Sequence, residues 1–347
     1  MTDWGTGMSL MNLLMGAMAS SAVGTAAELG IADALADGPA TAAELAKTVE
    51  ADTDSLDSVL QALTALGVFT RDADGRYANS PMSEPLRSDH PDSVRHLATL
   101  LCGLYGQAAT GGLTQAVRAG TSVMPCTFGV GLYEYLDRHP DTARIFDLAM
   151  QDWTRPIATL LADKLPLDDV HTVVDVGGGN GTLLQALLSA HPHLNGICAD
   201  RPDTCDRAQR TLAASQQADL ARRLTFRPTD ILQDVPTGGD LYVIKNVLHD
   251  WNTTTSVQIL RNIHTAMTAT PRASAGTPPK LLIIDPLAEH DSGAAFRNVI
   301  KMVVGEPRTR SRSEADIRRE ATEAGFEVLS ITPCPADLSV ITCVPAS

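Results

Sequence analysis

The chain has 347 residues, enough for about two domains, and 44% are apolar, so a large core can form without disulfide staples. Asp and Glu number 41 against 27 Lys and Arg, a formal net charge of −14. That balance argues against nucleic acid or an anionic membrane as partner, since both call for a basic surface.

No run reaches 18 apolar residues, so no transmembrane helix is expected. The apolar stretch from Met8 to Ala27 follows Asp3 and has no early Lys or Arg, which makes it a poor signal peptide. The six cysteines, at 102, 126, 198, 205, 334 and 343, form no CxxC pair, and His191-Pro-His193 has no further ligand pattern beside it. No metal is expected, and the thiols read as reduced, in a cytoplasmic protein.

Met8, Met11, Met15 and Met18 recur at spacings of 3, 4 and 3, one face of a helix. That stripe suits a core or a subunit interface, and an intertwined dimer accommodates both. Thr41-Ala-Ala-Glu44 is a capping box that opens a short helix. A second helix is expected from Thr53 to Leu66, stopped by Gly67. Val68–Thr70 and Arg76–Ala78 flank the turn Asp72–Gly75 and read as a hairpin. Helix, helix, hairpin outlines a winged-helix unit. The first 70 residues carry nine acids and one lysine, Lys47, so protein contact is the expected role and DNA binding is not. Further helices are expected over Asp92–Gly103 and Leu132–Ala162.

After Pro166 apolar runs alternate with helical segments: Thr172–Val176, Leu194–Ala199, Leu224–Phe226, Leu241–Val247, Leu281–Ile284, Phe326–Ile331 and Ser339–Val344. This implies a mostly parallel sheet covered on both faces, its last two runs adding an antiparallel strand. Thr270–Lys280 reads as an exposed loop. The arginines between Arg308 and Arg319 are interleaved with Glu314 and Asp316 and read as a solvated helix face.

In Val173-Val-Asp175-Val-Gly177-Gly-Gly-Asn-Gly181-Thr182 a strand meets a glycine-rich turn that opens a helix. Ligands bind at the carboxyl ends of such strands. A dinucleotide fingerprint would put its third glycine at Thr182, so a pyrophosphate cradle is poorly supported. Asp175 before the turn suits an ammonium group and repels phosphate. Asp200, ending the next strand, can accept from both ribose hydroxyls, and Asp230 from an adenine amino group. Adenine, ribose, ammonium and no phosphate describe S-adenosylmethionine. A purely structural alternative has these acids capping the following helices.

With these motifs the chain resembles the small-molecule O-methyltransferases of the plant caffeate and bacterial antibiotic-pathway type. The resemblance rests on Val174–Gly181, Ala199-Asp-Arg-Pro202, Thr229-Asp230, Lys245-Asn-Val-Leu-His-Asp-Trp251, Tyr133-Glu-Tyr-Leu136, Phe146–Met150 and Gly325-Phe326. It implies an α/β chain: a Rossmann-like class I methyltransferase sheet over 166–347, a winged-helix-like dimerisation domain over 1–100, and a helical linker over 101–165 that contributes to the substrate pocket. It also implies a homodimer whose first helices reach the partner's pocket. The cofactor set is then Asp175, Gly177, Gly179, Asp200 on the ribose, Arg201, Asp230 and Ile231 on the adenine side, and Lys245 near the adenine. His249 is the implied general base. The acceptor is expected against Met150, Trp153, Asn298 and Met302.

A phenol of pKa ~10 is about one part in a thousand ionised at neutral pH, a deficit of roughly 4 kcal/mol. A neutral imidazole at the ligand edge can take that proton as the methyl transfers. The resemblance also implies two acids that orient the histidine. Asp285 stands where a glutamate is common, and Pro307 stands just before Arg308-Thr309 where the second glutamate belongs, leaving Glu306 as its candidate. N-methylation, or a non-methylating reaction with the same cofactor, is the alternative within this fold. A winged-helix regulator would need a basic recognition helix, and Thr53–Leu66 carries Asp54 and Asp57 with no Lys or Arg.

Overall fold

A computed structural model describes residues 10, 11, 13–269, 278–290, 293–335 and 337–346. The chain divides into two compact units, one formed by residues up to Thr110 with Leu148–Trp153, the other by Gly111–Asp147 with the residues from Thr154 onward.

In the first unit, helix α1 (Gly16–Leu29) ends where Gly30 turns left-handed and donates to the carbonyls of Ala26 and Ala27. The short α2 (Ile31–Ala34) follows. Helix α3 (Ala42–Thr48) has the expected capping box, with the Glu44 N–H on the Thr41 hydroxyl and the Thr41 N–H on the Glu44 carboxylate. Helix α4 (Thr53–Ala65) is capped by Asp52 and buries Leu56, Leu60 and Leu63. Strands β1 (Phe69–Arg71) and β2 (Tyr77–Asn79) make the hairpin. Ile31, Leu45, Leu60, Leu63, Phe69 and Tyr77 form the centre of this core, and the Tyr77 hydroxyl donates to Asp57. Met11, Met15 and Met18 are exposed rather than buried in it, while Met8 lies outside the described residues. Helix α5 (Arg95–Leu100) runs through a π-turn, Leu101–Tyr105, into α6 (Gly106–Ala119). The Asp152 carboxylate accepts from the His96 and Leu97 N–H groups at the start of α5.

The second unit holds α7 (Val123–Phe128), α8 (Leu132–Arg138) and most of α9 (Pro140–Lys164). The single helix expected over Leu132–Ala162 is therefore two. Pro140 has no N–H to extend α8 and sits instead at the first position of α9. The expected strands follow: β3 (Thr172–Val176), β4 (Asn195–Asp200), β5 (Leu224–Pro228), β6 (Leu241–Lys245), β7 (Lys280–Asp285), β8 (Phe326–Cys334) and β9 (Leu338–Pro345). They form one sheet in the order β5-β4-β3-β6-β7-β9-β8. The first five are parallel, and β9 lies antiparallel between β7 and β8.

Apolar layers cover both faces. One joins Ile157 and Leu161 of α9 and Leu183, Leu184 and Leu187 of α10 (Thr182–Ala190) to Val173, Val243 and Ile284. The other joins Ile259, Leu260 and Ile263 of α13 (Thr253–Thr268) to Val174, Tyr242 and Ile283. In chain order α11 is Pro202–Ala214, α12 Ala218–Arg223, α13 Thr253–Thr268, α14 Ala294–Val304 and α15 Glu314–Glu323. Among the described residues no helix is long and apolar enough to cross a membrane. The loop expected at Thr270–Lys280 lies largely outside the described residues.

The arginine stretch departs from a solvated face. Arg310, Arg318 and Arg319 are exposed on acids of α15, but Arg312 is 7% exposed and paired with Glu320, which is 1% exposed. The interleaved acids alone do not reveal this, because the groups that satisfy Arg312 include backbone carbonyls some 60 residues earlier.

Candidate active site

The strand order reverses direction at β3, whose neighbours are β4 and β6, and such a switch point opens a crevice at the carboxyl ends of the strands. The glycine loop sits there. Gly177 and Gly179 take φ of +72° and +60°, a region where side chains are strained. A Cβ on Gly178 would lie 2.7 Å from the Asp175 carboxylate and 2.8 Å from Cys198 Sγ, so the loop closes directly over Asp175. Burial pushes that carboxyl up to about 7, the Lys245 ammonium pulls it back, and Asp200 pushes it further up. A buried carboxylate held this high gains most from a cation placed against it.

Asp200 ends β4. Its two oxygens accept from the Gly179 N–H and the Arg201 N–H, each at 2.7 Å. Asp230 follows β5, is exposed, and accepts from the Leu232 N–H at 3.0 Å. Ile231 is half-buried and its carbonyl accepts from Asn262. Helices α10 and α11 begin at Gly181 and Arg201 with no side-chain cap, so capping does not account for Asp175 or Asp200. For Asp230 the local turn bond is part of the explanation. Three acids along one rim fit a cationic nucleoside and oppose a phosphorylated one.

On the other side of β3, strand β6 ends at Lys245. Burial lowers this ammonium to about 8, while Asp175 and Asp285 hold it up. The structure thus sets Lys245 electrostatically between the glycine-loop acid and the acid ending β7. Asn246 then takes φ +53°, tolerable for asparagine, and its N–H donates to Ile284 O at 2.9 Å. This bend feeds the 3₁₀ turn Leu248–Asp250 that presents His249. Because β6 and β7 are neighbours, Asp285 meets it: His249 Nδ1 lies 3.5 Å from Asp285 Oδ1. Neither atom has a hydrogen-bond partner among the described residues.

The second imidazole nitrogen, Nε2, lies 3.3 Å from Asp250 Oδ1. Burial pushes the Asp250 carboxyl up, His249 pulls it down, Asp285 pushes it up, and Lys301 and the Tyr133 hydroxyl pull it down. Tyr133 Oη donates to Asp250 Oδ2 at 3.3 Å, its ring stacks on Trp251 at 5.9 Å, and the Arg201 guanidinium lies 5.1 Å from its ring centroid. Tyr133 and Lys301 are functional neighbours that sequence spacing does not reveal, since they sit 117 residues before and 51 residues after Asp250. Tyr133→Phe keeps the stack and removes one hydrogen bond to a charged group. Turnover is expected to fall about tenfold, as ~1.5 kcal/mol implies, with the melting temperature little changed. An unaltered kcat would show that the hydroxyl carries nothing.

Of the two acids expected to orient His249, the structure brings Asp285 to it. Glu306 stands elsewhere, its carboxylate accepting from the Asn252 N–H at 3.1 Å and the Thr255 hydroxyl at 3.2 Å at the start of α13. Met150 and Trp153 are half-buried on α9 in the first unit. Asn298 and Met302 lie on α14 in the second, Asn298 Oδ1 accepting from the Ser311 N–H at 2.7 Å. Among the described residues no group of three His, Cys, Asp or Glu could hold a metal ion.

Residues 111–327 match the model of an O-methyltransferase domain, and residues 11–89 that of an O-methyltransferase dimerisation domain. The O-methyltransferase SfmM3 of Streptomyces lavendulae is 33% identical over 97% of this chain and 100% of its own. The mitomycin 7-O-methyltransferase MmcR has a structure similar to this one with a TM-score of 0.86, at 29% identity over 99% of this chain and 98% of that one. NcsB1, an O-methyltransferase from neocarzinostatin biosynthesis solved with S-adenosylmethionine and 2-hydroxy-5-methyl naphthoic acid, gives 0.78 at 30% identity over 94% and 95%.

Proposed function

The chain belongs to the O-methyltransferase family, and we propose that it methylates a phenolic hydroxyl of a small natural-product intermediate, with His249 as general base. The observation that carries this reading is the placement of His249: it stands on the turn that follows β6, the strand beside that of Asp175, at the same rim, between two carboxylates. S-adenosylmethionine supplies a methyl already activated on a sulfonium. The remaining work belongs to the chain. Asp175 pairs with the amino-acid ammonium, the Gly177 and Gly179 backbone lines its approach, and Asp200 accepts from the ribose hydroxyls, with Arg201 adjoining. Asp230 and Ile231 lie on the adenine side, and Lys245 packs near the adenine. His249 takes the acceptor's proton, and Asp285 stabilises the imidazolium that forms.

Met150, Trp153, Asn298 and Met302 are assigned to the acceptor pocket. Residues 1–100 are read as the dimerisation domain of a homodimer, 101–165 as the helical linker that adds to the pocket, and 166–347 as the catalytic domain. The exposed Met11, Met15 and Met18 support a subunit contact. A cytoplasmic setting agrees with six cysteines that are all free.

Mass spectrometry tests the reaction. Phenols incubated with enzyme and S-adenosylmethionine are expected to gain one methyl on oxygen. Methylation of matched anilines, with phenols untouched, would replace this reading with N-methylation.

A further inference from the structure

We propose that Arg312 is a positioning residue for the base, because it ties together the two chain segments that carry His249 and Asp285. Its side chain reaches the first segment. Nη1 donates to Leu248 O at 2.8 Å and Nη2 to Trp251 O at 2.9 Å, so both ends of the turn holding His249 are gripped. Nη2 also donates to Ser256 Oγ at 2.5 Å, and Nε donates to Glu320 Oε2 at 2.6 Å. Glu320 is fixed in turn by the Thr253 hydroxyl at 2.9 Å.

Its backbone reaches the second segment. Arg312 O accepts from the Ala288 N–H at 2.8 Å, and Arg312 bridges Leu287 in parallel register, two and three residues beyond Asp285. Strand pairing already joins the ends of β6 and β7, and Arg312 adds a second tie beyond them, between the His249 turn and the segment that follows Asp285. Across these ties His249 Nδ1 lies 3.5 Å from Asp285 Oδ1. A lysine could keep the charge opposite Glu320 but lacks the planar fork that spans two carbonyls. The guanidinium touches neither His249 nor Asp285 and acts through the turn alone.

This inference rests on the reading of His249 as base for its effect on turnover, but its geometric claim has its own readout. The groups facing His249 are Asp250 from its own turn and Asp285 from β7. Behind Asp285 stands Lys245, and behind Asp250 stand Lys301 and Tyr133. Loosening the turn parts the imidazole from Asp285 and frees the ring to take other orientations.

The test compares the full-length wild type with Arg312→Lys and with the double variant Arg312→Met, Glu320→Gln, in which neither charge is left buried alone. Histidine Cε1–H resonances are recorded by NMR at one fixed pH, with that of His249 assigned by its loss in His249→Ala. Both variants are expected to move and broaden the His249 resonance while leaving the other histidine resonances and the dissociation constant for S-adenosylmethionine unchanged. kcat should fall on the order of 10²-fold on the first phenol found to gain a methyl. An unchanged His249 resonance in the folded double variant overturns the proposal, as does a loss confined to thermal stability. If the resonance moves while His249→Ala retains full turnover, the clamp stands and the base assignment fails.

Discussion

Replacing His249 with alanine is expected to leave the affinity for S-adenosylmethionine intact and to lower turnover of a phenolic acceptor by about 10²–10⁴-fold, the usual contribution of a positioned base. The affinity is spared because the Asp175, Asp200 and Asp230 strand ends lie on the far side of β6 from Asp285, and none of them holds the imidazole. The acceptor's proton is then left to water, and the phenol must react from its small ionised fraction. Activity of the variant should therefore rise with pH toward the phenol's own ionisation, where the missing base no longer matters. Calorimetry and initial rates across pH separate the two effects. Wild-type turnover at neutral pH would mean that alignment alone drives the transfer.

Asp175→Asn carries the second large effect. It keeps the volume beneath the glycine loop, where Gly178 leaves no spare room, and removes only the charge. Deleting one member of a buried charge pair costs about 2–5 kcal/mol, so affinity for S-adenosylmethionine should fall on the order of 10²–10³-fold. The wild type should also show a signature in pH. Its Asp175 carboxyl titrates near 7 rather than near 3.8, because burial disfavours the ion. The ionised form is the one that pairs with an ammonium. Affinity should thus fall roughly tenfold per unit below pH 7, with a proton released on binding in that range. Titration calorimetry in buffers of different ionisation enthalpy measures the proton directly. Affinity that stays level down to pH 5, or an Asn variant that binds normally, would remove Asp175 from the ammonium site.

Much of this layout was legible in the residues. Short β-rich runs such as Val173-Val-Asp-Val176 and Leu241-Tyr-Val-Ile244 became strands because buried parallel strands have no polar face to disguise them. The glycine loop was readable because positive φ leaves few residue choices. What stayed hidden depends on partners distant in sequence. Asp250 gains its partners only in the fold, which brings Tyr133 and Lys301 to it. Arg312 shared its pattern with exposed arginines, and Leu248 O, Trp251 O, Ser256 and Glu320 distinguish it. Glu306 sits one residue from the motif position expected of it, yet the turn after Gly305 directs its carboxylate to the start of α13. The break between α8 and α9 was announced by Pro140 and masked by helical periodicity on both sides.

Asp175, Lys245, Asp285 and Lys301 are each at most 9% exposed, close to one rim of an otherwise apolar sheet. Ionisable groups in such a place contribute less to folding than aliphatic residues of equal size would. Selection for heat resistance alone would therefore be drawn to these positions first, and each gain would come from silencing the enzyme. The activity and the durability of this protein pull on the same few side chains in opposite directions.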